Sequence, residues 1–551
     1  MPGDASMDSQ GQIKIVSAVE MSIRFQTQVV AKIPQWQKQL SDASLDFADL
    51  ELEIQKEFLL GAGYIMAGLV AVALNQSAFE EACEETRKSY DVPLAKGRMR
   101  SIRVQLVGGL IFWINSLYCE PKRGLFKKKN PENVPGLYVS LAQLGFANGC
   151  SPGLECQIAR RVAGSHSFDF AIQELQREGI NIDYKVARRI TYQCGQGLLT
   201  LRTRELVAWR NKKLLPTNEF TGQNIVVQID GGRVKTRSSL KAKETKLDPV
   251  NPSVRTEPTR QAIKHNASLT DEGGRGKASK RRKRTFVSDW REPKLATIFV
   301  IDENGKQRKK TQAWIDATLE GPDHLAELVA MRLFQLGVGS AKSISFVSDG
   351  APWIWDRLDR IMELAGVAKD TPVYKILDCC HAVHQMSDAL KEFKLPAAIH
   401  RALYRLYRKY IREGNWELVV QGLERRLTRK QRLPQSVQDE IRRAINYLRR
   451  HGTLGHMNYP KFALAGVPLG SGAVESSIRR VINLRLKSNG TFWKCENAEA
   501  MLQIRCHYVS KRLDERLASK RISLSRNGKL NWNWDAQDMR SNVDHQLTTS
   551  A

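Results

Sequence analysis

The stretch "NIVVQIDGGRVKTR", Asn224 to Arg237, decides how this chain is read. Ile225, Val226 and Val227 have strand composition, the run ends on Asp230, and two glycines follow. An acid at a strand end beside glycine sits where the backbone turns away, leaving the side chain free to meet a ligand. Working outward, "SISFVSDGAPWIWDRL" is a second strand, ending on Asp349 with Gly350 behind it, and "PVYKILDCCHAVHQM" ends on Asp378 and runs into a helix. Further on, "PLGSGAVESSIRRVINLRLKSNGTFW" (Pro468 to Trp493) places Glu475 at the start of a helix after a Gly-Ser-Gly turn. Val474, Ile478 and Val481 recur at i, i+4 and i+7, a buried stripe, so Glu475 lies at its edge. Arg479, one turn on, is placed to pair with Glu475 or to take a phosphate.

Each acid alone has an ordinary explanation. A terminal Asp is often a turn-former, and a Glu near a helix start complements the helix dipole. The charge of the chain changes the weighing. Its 551 residues carry 86 Lys plus Arg against 58 Asp plus Glu, a net of +28, which points to a polyanionic partner, nucleic acid ahead of anionic membrane. Carboxylates gathered inside a basic surface repel phosphate unless divalent cations lie between them. Mg²⁺ selects oxygen ligands, and two such ions about 3.5–4 Å apart suit phosphodiester chemistry.

The rest of the chain divides by composition. Residues 1 to about 90 read as helices. The span "MRSIRVQLVGGLIFWINSLYC" reads as a β-hairpin broken at Gly108-Gly109. "SPGLECQIARRVAG" begins with a Ser cap and Pro in the first turn. "SFDFAIQELQRE", the turn "GINID" and "YKVARRITYQCGQGLL" then form either a helix-turn-helix or an ordinary helical hairpin. In the first case Lys185, Arg188 and Arg189 face DNA. Residues 233–286 hold 16 Lys or Arg against 5 Asp or Glu, and read as a disordered basic insertion, whether a phosphate-gripping arm or a solvated linker. "KLATIFVIDENGK" is a further strand with Asn304-Gly305 as its turn, and "HLAELVAMRLFQLG" a helix. Residues 391–460 are helical and basic, and those after about 509 read as a frayed polar tail.

Taken together, these motifs carry a resemblance. "VVQIDGGRVKTR", "FVSDGAPWIWDRL", "ILDCCHAVHQM" and "GVPLGSGAVESSIRRVINLRLKSNGTFW", in that order, resemble bacterial insertion-sequence transposases of the DDE class. The nearest group is the ISKra-type, related to the Mutator-like elements. There "G-x-P-x-G-S-G-x-V-E" carries the glutamate and "R-x-K-x-x-G-x-x-W", here Arg485, Lys487, Gly490 and Trp493, closes the core. The resemblance spans residues 99–508 and is strongest over 225–508.

It implies an α/β RNase H-like catalytic core, a mixed sheet flanked by helices, with an all-α insertion. A mainly helical DNA-binding region containing a helix-turn-helix would precede it. The implied divisions are an N-terminal helical region (1–98), a hairpin like a degenerate zinc ribbon (99–150), the helix-turn-helix domain (151–220), the core (221–390), the helical insertion (391–465), the rest of the core (466–508) and the tail (509–551). Asp230, Asp349 and Glu475 would be the catalytic residues and ligands of two Mg²⁺ ions, for which Mn²⁺ would substitute. The 126 residues from Asp349 to Glu475 accommodate the insertion. Asp378 and His381 match the Asp-x-x-His signature, implied to position the insertion or handle DNA near the cut. Arg233, Lys235, Arg479, Arg480, Arg485 and Lys487 would hold backbone phosphates. Trp493, like Trp353 and Trp355, would either stack on bases or pack in the core.

The implied function is binding of terminal inverted repeats, metal-dependent strand cleavage, and strand transfer into target DNA. A homodimer or larger assembly would hold two ends in a synaptic complex in the bacterial cytoplasm, near the nucleoid, without membrane. The competing readings are a catalytically silent DNA-binding regulator or domesticated transposase, and an RNase H-like nuclease.

The sequence departs from the family pattern at "SLYCEPKRG", where only Cys119 stands for an expected Cys-x-x-Cys. Nine cysteines without any such pair argue for neither a disulfide framework nor a four-ligand zinc site. The thiols of "DCCHAVH" read as small buried apolar groups rather than zinc ligands. The 17-residue apolar run Phe58–Leu74 is flanked by charged helical sequence and reads as a buried helix rather than a membrane span. The opening "MPGDASMDSQGQ" lacks the basic start and apolar centre of a signal peptide.

Overall fold

The computed structural model describes residues 18–42, 46–90, 93–121, 136–239, 286–429, 433–487 and 491–519. The chain opens with helices α1 (Ala18–Ser41), α2 (Phe47–Leu74) and α3 (Ser77–Lys88). The expected hairpin follows as β1 (Leu94–Gln105) and β2 (Ile111–Pro121), antiparallel, with Gln105 opposite Ile111. Its turn needs glycine: Gly108 and Gly109 have φ of 84° and 89°, a region that side chains avoid. A short strand β3 (Leu137–Tyr138) and helix α4 (Val139–Gln143) complete this region.

Apolar α2 is not the buried helix that its composition suggests. It is the one helix among the described residues long and apolar enough to cross a membrane, and only 22% of its most apolar window is buried. The reason lies in where its small residues fall. Gly61, Gly63, Ala67 and Gly68 form the covered face, and β-carbons at Gly61 and Gly63 would collide with Phe25 and Leu110. The larger Phe58, Ile65, Leu69 and Val72 therefore point outward.

Helices α5 (Pro152–Gly164), α6 (Phe168–Arg177) and α7 (Tyr184–Arg210) come next. Ser151 caps α5 as expected, accepting from the Leu154 N–H at 3.3 Å with Pro152 just inside. α6, the turn at 178–183 and α7 lie where the two-helix motif was expected. However, α7 runs 27 residues instead of being short, and packs along the penultimate described helix. The segment 151–220 thus shares a core with the residues around Glu475.

The central sheet has five strands: β4 (Asn224–Gly231), β7 (Lys294–Ile301), β8 (Trp314–Thr318), β9 (Ser343–Ser348) and β10 (Val373–Leu377). A two-stranded ribbon, β5 (Val234–Ser239) with β6 (Phe286–Arg291), branches off between β4 and β7. The sheet order is β10-β9-β4-β7-β8. β4, β9 and β10 are mutually parallel, while β7 and β8 run antiparallel to their neighbours. β4 and β7 are covered on both faces, which is why they read as continuous apolar runs.

Helices α8 (Pro322–Leu336), α9 (Pro352–Trp355), α10 (Leu358–Ala365) and α11 (Cys379–Glu392) belong to one large core. The same core takes in the helical insertion: α12 (Ala397–Arg412), α13 (Trp416–Arg429), α14 (Gln435–Thr453) and α15 (Tyr459–Leu464). Across the sheet, α16 (Gly472–Ile478), α17 (Leu484–Leu486) and α18 (Cys495–Val509) pack with α5–α7. A π-helical stretch, Arg479–Asn483, joins α16 to α17.

Two boundaries and one strand differ from expectation. The basic insertion does not begin at 233, because Val234–Ser239 pairs with Phe286–Arg291. Its remainder, 240–285, lies outside the described residues. The tail does not fray at 509: residues 513–519 are helical, with Leu513, Arg512, Arg516 and Leu517 buried. "LNWNW" and Gly490 also lie outside the described residues. Finally β8, "WIDAT", went unrecognised because its five residues follow a polar loop and contain an aspartate.

Candidate active site

Strand register builds the site. Ile229 of β4 pairs with Ser348 of β9, and Ser348 pairs with Leu377 of β10. The next residue in each chain is an aspartate. Asp230, Asp349 and Asp378 therefore stand level at the C-terminal ends of three adjacent parallel strands. Parallel strands direct their chains out at one edge, so repeated acids there converge. The glycines behind two of them serve close packing: a β-carbon at Gly231 would strike the Glu292 carboxylate, and one at Gly350 the Tyr447 ring.

α16 lies over β4 and β7 and brings Glu475 to this edge. Val474 and Val481 are fully buried and Ile478 nearly so, as the stripe predicted, and Glu475 is exposed beside them. Glu475 makes no ion pair with Arg479. Its Oε1 lies 3.2 Å from Ser471 Oγ.

The acids differ in what holds them. Asp230 accepts from the Gly231 N–H at 2.6 Å, and Asp349 from the Ala351 N–H at 3.1 Å. Asp378, 1% exposed, is saturated: Oδ1 accepts from the N–H groups of Cys380 (2.6 Å) and His381 (3.0 Å). Its Oδ2 accepts from the Ser471 N–H (2.5 Å) and from Ser471 Oγ. Four donors fill the roughly four lone-pair sites of a carboxylate. Burial opposes the charge of Asp378, yet the His381 side chain, the Ser471 hydroxyl and the N–H groups of Ser471 and His381 together hold it well below the usual carboxylate range. Asp378, His381 and Glu475 each bring one ligand-type atom within 4.8 Å of the others. His381 Nδ1 lies 3.6 Å from Asp378 Oδ1, and that carboxylate raises the imidazole's affinity for a proton, helped by Asp349 and Glu475.

Asp230 shows the opposite balance. Burial pushes it up to about 6, the Gly231 N–H works against this, and the charges of Asp349 and Glu475 add to the rise. Asp349 is also raised, by burial first and by Glu292 and Asp378 among its neighbours. Carboxylates crowded without a matching cation destabilise each other's charged forms. An oxygen-rich, under-neutralised donor set fits a hard divalent cation, which Asp230, Asp349 and Glu475 would hold, although among the described residues the ligand-type atoms that lie within 4.8 Å of one another are those of Asp378, His381 and Glu475.

The expected DNA-facing residues divide. Lys185, Arg188, Arg189, Arg233, Arg479, Arg480 and Lys487 are exposed, and Lys235 is half-buried, its ammonium 4.8 Å from the Phe492 ring centre. Arg485 and Trp493 are buried rather than exposed as expected. They are 4% and 5% exposed; Arg485 donates to the His166 carbonyl at 3.3 Å, and Trp493 Nε1 to the Leu486 carbonyl at 3.1 Å. The sequence suggested otherwise because both lie in a basic, polar phrase. Trp355 is buried and Trp353 half-buried under Lys294. Of the paired thiols, Cys380 is exposed and Cys379 half-buried, so they are not the buried apolar pair expected. His384 points to Asp388 (3.1 Å) rather than joining a cluster with them.

Three contributors are not evident from the local sequence. Gln228 is a buried amide inside the β4 apolar run. Ser471 bridges Asp378 and Glu475, and Glu292 enters from the turn between β6 and β7, paired with Lys294 at 2.6 Å. Only Gln228 left a signal, a polar residue amid Ile and Val. The chain matches no protein-family model, no curated protein and no solved structure.

Proposed function

We propose that this protein is a metal-dependent DNA transposase that cuts and joins strands at one carboxylate site. The observation that carries the reading is the convergence of Asp230, Asp349 and Glu475 at one sheet edge within a chain of net charge +28. The strand order supports an RNase H-like core: β4, β7 and β8 form an antiparallel set, then β9 adds parallel beside β4 and β10 parallel beside β9. The helical insertion between β10 and α16 supports the DDE resemblance.

When bound, divalent cations would polarise a phosphodiester and lower the pKa of an attacking water or 3′-hydroxyl. The chain's own residues do the rest. Asp230, Asp349 and Glu475 are the ligands. Arg479, Arg480 and Lys487, on or just beyond the helix bearing Glu475, and Arg233 and Lys235 beyond Asp230 hold phosphates on both sides of the carboxylates. Lys185, Arg188 and Arg189 on α7 bind duplex ends, with affinity carried by phosphate contacts and hence dependent on salt.

The test is incubation of the purified protein with labelled duplex bearing the ends that flank its own coding sequence, with Mg²⁺ or EDTA, beside Glu475→Gln. Nicking at the end that needs metal and disappears in the variant, with binding intact, is the expected result. Wild-type binding without nicking under Mg²⁺ and Mn²⁺ would transfer the protein to the regulator class. Cleavage unaffected by Glu475→Gln would remove Glu475 from the site.

A further inference from the structure

Gln228 lies two residues before Asp230 on β4, so the two side chains leave the same face of the sheet. Its amide is 1% exposed and used at both ends: Nε2 donates to the Gly470 carbonyl at 3.0 Å, and Oε1 accepts from the Val474 N–H at 2.9 Å. α16 has no side-chain cap of its own. The Val474 N–H, shared with the Ser471 carbonyl (3.0 Å), is also met from the strand that carries Asp230. On the other side, Asp378 grips Ser471 through both N–H and hydroxyl, while the Asp378 N–H donates to the Ser348 carbonyl (2.9 Å) and the Cys379 N–H to Leu469 (3.0 Å). The Gly470-Ser471 turn is thus fixed to β4 by Gln228 and to β10 and β9 by Asp378. Glu475 is one turn beyond.

We infer that Gln228 and Asp378 are positioning residues, a two-sided clamp that sets Glu475 against Asp230 and Asp349. The inference rests on the proposed site. It gives the Asp-x-x-His signature a role: its aspartate spends all its acceptor capacity on protein donors and is not a metal ligand. A short helix after a glycine-rich turn is otherwise free to slide, and a ligand displaced by about 1 Å loses most of its contribution.

The test uses full-length protein, Gln228→Met and Asp378→Asn, with Asp230→Asn as the ligand-loss control. Mn²⁺ binding is followed by electron paramagnetic resonance of the free ion, alongside thermal unfolding and kcat and KM for nicking. The expected result for both clamp variants is unchanged ion stoichiometry, about tenfold weaker Mn²⁺ affinity and a 10- to 100-fold fall in kcat, with KM for DNA unchanged. Should Asp378→Asn fail to fold, Ser471→Ala removes one donor and gives a smaller shift in the same direction. Wild-type affinity and kcat in both variants would overturn the clamp. Loss of an ion in Asp378→Asn, as in Asp230→Asn, would make Asp378 a ligand and overturn it too. A wild-type protein that neither binds Mn²⁺ nor nicks DNA overturns the site itself, and that outcome is visible before any variant is made.

Discussion

Two regions of this molecule bury several charges, and they do so in opposite ways. On the β8 side, Arg202 of α7 bonds Asp316 and Glu499 at 3.0 Å each, and Gln503 adds a bond to Asp316 at 2.8 Å. Nearby, Glu205 accepts two bonds from Arg516 (2.6 and 2.7 Å) and one from Arg332 (3.2 Å). Burial opposes the charges of Asp316 and Glu205, yet their cations win and both are held below the usual carboxylate range, while burial pulls Arg332 below its ordinary value. At the strand tips, Asp230 and Asp349 have no such cations, and burial drives both upward. The paired cluster ties α7, β8, α18 and residues 512–519 together. In the unpaired one the His381 imidazole bears on Asp230 and Asp349, and it does not offset their burial. Where buried carboxylates lack protein cations, a site is the reading to test.

The largest effect separates the two by function. Glu475→Gln should lower metal-dependent nicking roughly a thousandfold, about 4 kcal/mol of transition-state stabilisation, with little change in denaturant midpoint. Arg202→Met should do the reverse. It leaves Asp316 and Glu499 buried without their cation, and should cost about 3–5 kcal/mol in urea unfolding. A Glu475→Gln protein that unfolds early, or an Arg202→Met protein that does not, would erase the contrast.

The pH response sharpens it. A carboxylate whose folded pKa is raised contributes stability that is full below its unfolded value near 4 and lost as pH rises through the folded value, here about 6 for Asp230. Metal-free wild type should therefore lose melting temperature between pH 4.5 and 7 through this group. Asp230→Asn should flatten that loss and melt higher than wild type at pH 7.5. Added Mg²⁺ should raise the wild-type melting temperature at pH 7.5 and leave Asp230→Asn unmoved. Nicking should rise through the same pH range as Asp230 ionises.

The smallest effect concerns the basic residues. Lys487→Ala and Arg479→Ala should each reduce the slope of log affinity for DNA against log salt by about one. Buried Arg485→Met should leave that slope unchanged and lower the melting temperature instead. An altered slope for Arg485→Met would place this side chain on DNA after all.

Much of the site was legible because its signals are local. A strand ending in Asp-Gly, a helix stripe flanking Glu475 and a Ser-Pro helix start each depend on a few consecutive residues. α2 misled because composition reports how apolar a helix is, not which face its neighbours cover, and glycines rather than leucines made the contact. Arg485 and Trp493 misled because basic phrases look exposed until a neighbouring helix is laid over them. β8 was missed because a five-residue strand has too little periodicity to stand out.

The strand and helix that carry each acid, the basic character of the chain and the insertion between Asp378 and Glu475 can be read from the residues alone. These follow from side-chain period and from charge, which survive without knowledge of partners. That Ile229, Ser348 and Leu377 share one register, and hence that three aspartates stand level, emerges only when the strands are assembled. The same assembly alone decides that Gln228 caps a helix 246 residues away, and that Asp378 turns all its acceptors inward. Register and long-range hydrogen bonds are set by which strands meet, and that choice is made by the packing of the whole sheet rather than by any one segment.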